Sequence, residues 1–244
     1  MGTVITVTSG KGGTGKTSIT GAVAASLSLM DRTVLCIDMD IGLRNLDISL
    51  GLNDRALMDF SDVALGRCPL ARAVVPHPTL KGLSLLTSPM SLPASLTTEK
   101  IRALLDTARG MYDYILIDSP AGLGAGFRLA ICGADRAVVV ATNDASSLRD
   151  AQRTVSELDH MRQVHLVMNR IQTKLLRRLR ATIDDAMDAA GLPLIGVVPE
   201  DPYVILCANL GQPLTDRGKR GAALACWNIA RRLEGQRVPI MRIR

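Results

Sequence analysis

Aromatic residues are scarce: one Trp, three Tyr and two Phe in 244 residues. A chain this poor in rings does not offer a row of base-stacking platforms for single-stranded nucleic acid. Five cysteines, Cys36, Cys68, Cys132, Cys207 and Cys226, are scattered with no C-x-x-C pair. Their spacing fits unpaired, buried thiols in a reducing cytoplasm rather than a disulfide or metal framework. His77, His160 and His165 show no metal-ligand spacing. No apolar run reaches the length of a membrane span. A strand is expected to begin almost at the N-terminus, so no signal peptide is expected ahead of it. Internal repeats, low-complexity tracts and linkers are also missing.

What is present reads as one large α/β domain. Apolar residues make up 47%, enough for a sizeable core and too many for a disordered chain. Net charge is +6, which leaves an anionic partner surface open. Short β-branched runs alternate with helical patterns along the sequence. That alternation predicts a doubly wound, mostly parallel sheet with helices on both faces. We expect the domain over 1–236 and a basic–apolar tail over 237–244.

The stretch Val4–Thr20 carries the clearest chemistry. Val4–Thr8 predicts a buried strand, and from Ser18 the pattern turns helical, with Ile19, Val23 and Leu27 on one face. Between them, Gly10, Gly15, Lys16 and Thr17 satisfy the G-x-x-x-x-G-K-[ST] phosphate-loop pattern. Gly10, Lys11, Gly12, Gly13, Thr14, Gly15, Lys16, Thr17 and Ser18 are therefore the nucleotide-binding candidates. Glycines allow positive φ and close approach of backbone N–H groups to phosphate oxygens. The helix start adds a positive dipole end. Lys16 is expected to reach the β- and γ-phosphates, and the Thr17 hydroxyl to ligate Mg²⁺. A merely flexible turn is the bland alternative, but the strand–loop–helix context argues against it.

Two later strands end in acids. Thr33–Asp38 leads to Asp38 and Asp40, and Tyr114–Asp118 leads to Asp118. Sites in open α/β sheets lie at the carboxyl ends of strands, so these acids should stand beside the loop. Asp118 fits a Walker-B role toward Mg²⁺, with Asp38 a further metal candidate. The SPAGL that follows has the make-up of a two-state switch loop.

The remaining elements are read more briefly. Ser61–Pro78 predicts a helix and a loop, and Leu83–Thr87 a strand. Thr98–Arg109 predicts an amphipathic helix with Lys100, Arg102 and Arg109 on its solvated face. Arg136–Thr142, Val164–Asn169 and Leu194–Val198 predict strands. Ser146–Leu158 and Gly221–Leu233 predict helices, and Pro199-Glu200-Asp201 should cap the last strand. The basic run Lys174–Arg180 reads as a solvated helix face, with phosphate contact as the alternative.

The second lysine of KGGTGKT, Lys11, resembles the deviant phosphate loop of the ParA/MinD class of ATPases. DIGLRNLD at Asp40, the later DF, DSPAGL at Asp118, ATNDASSLRDAQR and GVVPED resemble the MinD branch, the septum-site-determining ATPases, in one register over nearly the whole chain. The resemblance implies a SIMIBI-like phosphate-loop NTPase that uses ATP and Mg²⁺. It implies an ATP-sandwich homodimer in which Lys11 reaches the partner's nucleotide, with slow, partner-stimulated turnover. It further implies hydrolysis with water held near Asp40, adenine recognition by Asn169, and packing of Pro199, Glu200 and Asp201 on the nucleoside. On this resemblance Lys11, Lys16 and Asp40 are the catalytic candidates. The implied partners are inhibitor and activator proteins of the MinC and MinE kind and an anionic membrane surface, with nucleic acid the weaker candidate. The implied location is the cytoplasm, peripheral to the inner face of the membrane. An iron–sulfur relative is disfavoured, because no second cysteine is placed to share a cluster with Cys132.

The tail departs from the family. A lysine-rich amphipathic helix is the family's usual membrane anchor, whereas this sequence reads RVPIMRIR, with Pro239 inside it. Arg237, Arg242 and Arg244 alternate with Val238, Ile240, Met241 and Ile243 in a stretch too short for an interfacial helix alone. A lost anchor, a truncated chain and a minimal basic–apolar contact all remain open. Two other functions also remain: a ParA-like chromosome or cargo positioner on DNA, and a non-hydrolysing nucleotide-dependent scaffold.

Overall fold

The computed structural model describes residues 1–53 and 55–241, so Arg242, Ile243 and Arg244 of the tail lie outside the described residues. The strands are β1 Thr3–Thr8, β2 Val34–Asp38, β3 Val75–Pro76, β4 Leu83–Leu86, β5 Tyr114–Asp118, β6 Arg136–Ala141, β7 Gln163–Ile171 and β8 Leu194–Pro199. The helices are α1 Lys16–Ser28, α2 Leu46–Leu50, α3 Phe60–Ala64, α4 Leu70–Ala73, α5 Thr98–Arg109, α6 Ala125–Ile131, α7 Ala145–Ser156, α8 Thr173–Leu179, α9 Ile183–Ala190, α10 Pro202–Asn209 and α11 Gly221–Leu233. A 3₁₀ turn spans Leu214–Arg217.

These strands join one sheet in the order β3-β4-β2-β5-β1-β6-β7-β8. All pairings are parallel except the short edge strand β3 on β4. The expected doubly wound, mostly parallel sheet is therefore present. Period-two alternation sends Ile5, Val7, Cys36 and Leu116 under α1 and α11. It sends Val4, Leu35, Ile37, Ile115 and Ile117 to the other face under α5, and Val139, Leu166 and Met168 under α7 and α9. Strands buried on both faces read as continuous apolar runs, which is why they were legible.

α1 is buried along nearly its whole length, including Ala22, Val23, Ala24, Ala25 and Leu27. Gly21 costs such a helix about 1 kcal/mol relative to alanine. A Cβ there would stand 2.6 Å from Ser49 Oγ on α2, so any larger residue would have to displace that side chain. β1 lies between β5 and β6, and the chain winds first to one side of it and then to the other. Its carboxyl end is thus the switch point of the topology, where open α/β sheets place their sites.

Several expectations need correction. Ser61–Pro78 is not one helix and a loop: α3 opens at Phe60 with Asp59 as a capping box, α4 follows, and Pro76 sits on the edge strand β3. Proline is tolerated there because an edge strand leaves N–H groups unpaired. Arg109 is not on a solvated face, since its side chain is only 13% exposed. It forks onto both Asp135 carboxylate oxygens at 2.6 and 2.9 Å and donates to the Gly2 and Gly133 carbonyls. A planar five-donor guanidinium suits that meeting of the N-terminal segment with the loop before β6, and helix periodicity does not report it. Cys36, Cys207 and Cys226 are buried, but Cys68 and Cys132 are only half-buried. His77 is structural, with Nε2 2.9 Å from the Leu50 carbonyl and Nδ1 accepting from Leu80 N.

α8 holds the basic run and buries none of its residues, as expected for a solvated helix. The described part of the tail is not helical. Arg232 donates to the Val238 and Pro239 carbonyls at 3.1 and 2.6 Å, and Met241 packs against the core. No helix among the described residues is long and apolar enough to cross a membrane.

Candidate functional site

The loop after β1 wraps the N-terminus of α1. Gly15 is the N-cap residue of α1, at φ +88° and ψ +26°, and Gly13 has φ +80°. These left-handed positions explain two of the glycines. Gly10 is required for another reason: a Cβ there would run into the Asp150 backbone of α7. At the exposed Gly12 and Gly13 a Cβ would meet no atom within 4 Å, so the backbone there is open to close approach. Ser9 Oγ donates to the Lys11 carbonyl at 2.7 Å and braces the turn. Lys16 is buried, only 6% exposed. Thr14 is buried, and its hydroxyl has no hydrogen-bond partner among the described residues.

Asp118 meets this loop, and Asp38 stands beside it on the neighbouring strand. The Thr17 hydroxyl donates to Asp118 Oδ2 at 2.6 Å, and Thr20 Oγ1 donates to Asp118 Oδ1 at 3.3 Å. Asp38 is the register partner of Asp118 on the neighbouring strand. It accepts from Asp40 N at 2.8 Å and Leu46 N at 3.1 Å. Burial pushes the Asp118 carboxyl up to about 7 against the hydrogen bond from Thr17. Burial likewise pushes Asp38 up to about 6 against its backbone donors. Two desolvated carboxyls side by side resist full ionisation unless a cation joins them.

The residues fit ATP and Mg²⁺. An open nest of N–H groups at a helix N-terminus is an anion site. The nearby donors are all hard oxygens, from Thr17, Asp38 and Asp118. Among the described residues no group of three or more His, Cys, Asp or Glu side chains is placed to hold a metal. A set of hard oxygen donors matches a hard cation such as Mg²⁺.

Lys11 points elsewhere. Its Nζ lies 2.7 Å from Asp144 Oδ1 and 2.9 Å from Ser146 Oγ, at the start of α7. Burial alone would raise the Asp144 carboxyl, but hydrogen bonds from Lys11, Thr142 and Ser146 outweigh it and hold the group well below the usual carboxylate range. Sequence reading missed Asp144 as a partner, although it too follows a strand, β6, at the same edge of the sheet.

Beside the loop is a cavity of about 190 Å³ lined by Gly15, Ile19, Asn169, Pro199, Val204 and Ile205, among others. Asn169 is 6% exposed and lines it, yet its amide donates to the Thr14 carbonyl at 2.8 Å. Asn169 thus also braces the phosphate loop. Pro199-Glu200-Asp201 lines the same cavity, but it does not simply cap β8. Asp201 caps α10 through Tyr203 N and also accepts from Ala222 N at the start of α11. Two helix N-termini meet there and share one carboxylate, an arrangement set by tertiary packing. Thr20 and Arg170 are further site residues that sequence reading missed. A larger cleft of about 840 Å³ at the opposite end of the strands contains none of the loop residues.

Comparison with known proteins agrees with this geometry. The family model described as the CobQ/CobB/MinD/ParA nucleotide binding domain matches residues 5–222. The septum site-determining protein MinD of Synechocystis sp. is 37% identical, over 99% of this chain and 92% of that protein. Its counterpart in Bacillus subtilis is 36% identical, over 98% of this chain and 92% of that protein. Among solved structures, the MinC:MinD cell division protein complex of Aquifex aeolicus superposes with a TM-score of 0.92 at 37% identity, covering 98% of each chain. The chain therefore belongs to the CobQ/CobB/MinD/ParA nucleotide-binding family, in its septum site-determining MinD branch.

Proposed function

We propose that this chain is an ATP-driven switch that helps place the division septum, binding ATP·Mg²⁺ on the loop Gly10–Ser18 and hydrolysing it between two protomers. The observation that carries the reading is the meeting of Thr17 and Asp118 at 2.6 Å beneath an open, glycine-lined nest. The solved Pyrococcus horikoshii relative, 27% identical with a TM-score of 0.83 and 96% of each chain covered, is a complex with Mg-ADP, which supports the choice of ligand.

Each residue then has a defined task. Backbone N–H groups of Gly12, Gly13 and Gly15 cradle phosphate oxygens, and Lys16 adds charge at the β- and γ-phosphates. Thr17 and Asp118, with Asp38 beside them, would hold Mg²⁺, which would neutralise charge developing on the phosphates. Asp40 orients the attacking water. No strong base is required, because phosphoryl transfer rests on positioning and electrostatics. Asn169 and the Pro199–Asp201 loop enclose the nucleoside. Lys11 leaves Asp144 and completes the partner's site as a charge clamp. The Asp118–Gly122 segment, with Gly122 at φ +79°, is the switch loop that senses the γ-phosphate.

Slow turnover stimulated by a MinE-like activator and recruitment of a MinC-like inhibitor belong to the same reading. The Aquifex MinC:MinD complex supports a partner of the latter kind. The tail would then add a weak basic–apolar contact to an anionic membrane, effective only when dimerisation joins two of them.

Co-sedimentation with anionic liposomes, and in parallel with duplex DNA, each with ATP and with ADP, tests the proposal. We expect liposome binding with ATP alone. DNA association with ATP and no liposome binding would shift the reading to a ParA-like positioner using exposed basic residues such as those of α8. Normal ATP affinity without hydrolysis would leave a nucleotide-dependent scaffold.

A further inference from the structure

Arg170 has a left-handed backbone, with φ +57°. It stands where β7 slips out of register against β8, between Met168 and Ile171. A left-handed backbone is costly for a residue with a Cβ, and such strain persists where the surroundings hold it in place. Here the guanidinium is held at two points. Nε donates to Glu200 Oε2 at 2.9 Å, and a terminal nitrogen reaches the Gly13 carbonyl at 3.4 Å. Glu200 lies in the loop after β8, and Gly13 in the phosphate loop. Arg170 therefore joins the two walls of the nucleoside cavity.

Its position is more specific than a rim contact. Gly13, Arg170 and Glu200 line the nucleoside cavity, and all three also line the adjoining cleft that contains Lys11 and Asp144. They form the partition between the two. Arg170 and Glu200 are 53% and 33% exposed, so their ion pair adds little to the stability of the fold. A weak pair placed over a cavity mouth acts instead on how often that mouth opens.

We propose that Arg170 and Glu200 form a latch that ties the base-side loop to the phosphate loop and slows release of a bound nucleoside diphosphate. Both are positioning residues, and the proposal rests on the nucleotide-site reading above. The left-handed backbone at 170 keeps the guanidinium aimed along the partition. Opening the pair frees the wall that separates the nucleotide from the Lys11 cleft, so nucleotide exchange and Lys11's surroundings are coupled through it.

The test is stopped-flow release of N-methylanthraniloyl-ADP, displaced by excess ADP, from the full chain. Arg170→Gly removes the side chain at a backbone glycine accepts, so the fold should persist, with a nucleotide-free melting temperature within about 2 °C of the parent. Glu200→Gln keeps the shape and removes the charge. Each is expected to release the probe about threefold to fivefold faster, the scale of a partly exposed ion pair. Arg170→Glu combined with Glu200→Arg should recover part of the loss. Raising salt to about 1 M should speed the parent toward the Arg170→Gly rate. Unchanged release in Arg170→Gly overturns the latch. Faster release in Arg170→Gly but not in Glu200→Gln also overturns it, because Arg170 would then be touching the nucleotide directly. A parent protein that shows no saturable probe binding would sink the nucleotide-site reading itself, and the latch with it.

Discussion

Lys11 Nζ sits 2.7 Å from Asp144 Oδ1, across 133 positions of sequence. The two side chains are 32% and 49% exposed, so the pair is screened and weak. A lysine that must reach a partner's nucleotide first has to leave this carboxylate. Asp144→Asn removes the competing charge. We expect ATP-dependent dimers to form at about fivefold lower protein concentration, equivalent to about 1 kcal/mol. Sedimentation velocity measures this. Weaker dimerisation would show instead that Asp144 presents Lys11 to the partner. Lys11→Ala should abolish both dimerisation and turnover.

The buried acids make the nucleotide-free protein pH-sensitive. Asp38 and Asp118 titrate at about 6 and about 7, above the range of an unfolded carboxyl. A group with a raised folded value contributes stability that is present below about pH 4 and lost as pH rises through the folded value. The nucleotide-free melting temperature should therefore fall between ~pH 4 and ~pH 7 and level off above that. Asp118→Asn should flatten that fall and raise the melting temperature at ~pH 8 by about 2–4 °C. ATP·Mg²⁺ should stabilise the parent more at the higher pH, where the carboxylates are free to meet a cation. Calorimetric melts across this window decide the matter, and an unchanged slope in Asp118→Asn would clear that residue.

Glycines of one loop should separate fold from function. A Cβ at Gly12 meets no atom within 4 Å, and Gly12 is not among the positive-φ residues. Gly12→Ala should leave the melting temperature within about 1 °C, yet weaken nucleotide binding at least about tenfold, because the methyl group fills the approach to the nest. Gly15→Ala strains a backbone at φ +88° and drives a Cβ into the Asn169 amide. It should cost about 1–2 kcal/mol even without nucleotide. Isothermal titration and thermal melts on the two variants make the contrast, and equal loss of stability would refute it.

Asp40 should be separable from binding. It is half-buried, and its backbone N–H, rather than its carboxylate, engages Asp38. Asp40→Ala should keep nucleotide affinity within about twofold and lower turnover by about 10²-fold or more, the scale of a lost water-positioning group. Single-turnover phosphate release measures the second quantity. Unchanged turnover would move the water to another residue.

What the sequence alone determined here is what neighbouring residues determine together. Tyr114–Asp118, Thr98–Arg109 and Gly221–Leu233 appear with the expected boundaries, because burial on two faces and helical periodicity are written into consecutive side chains. The phosphate loop is legible for the same reason: its glycines, lysine and threonine act through one turn of backbone. The short helices α2, α9 and α10 were not individually assigned, since few turns carry a weak periodic signal. Tertiary structure decided the pairings over long separations. Asn169 braces Thr14 across 155 positions, Asp201 caps two helices, and Arg109 ties the N-terminal Gly2 to Asp135. It decided, too, that Gly10 is glycine because Asp150 lies against it. Such contacts depend on which elements the sheet order brings together, and no local pattern encodes that order.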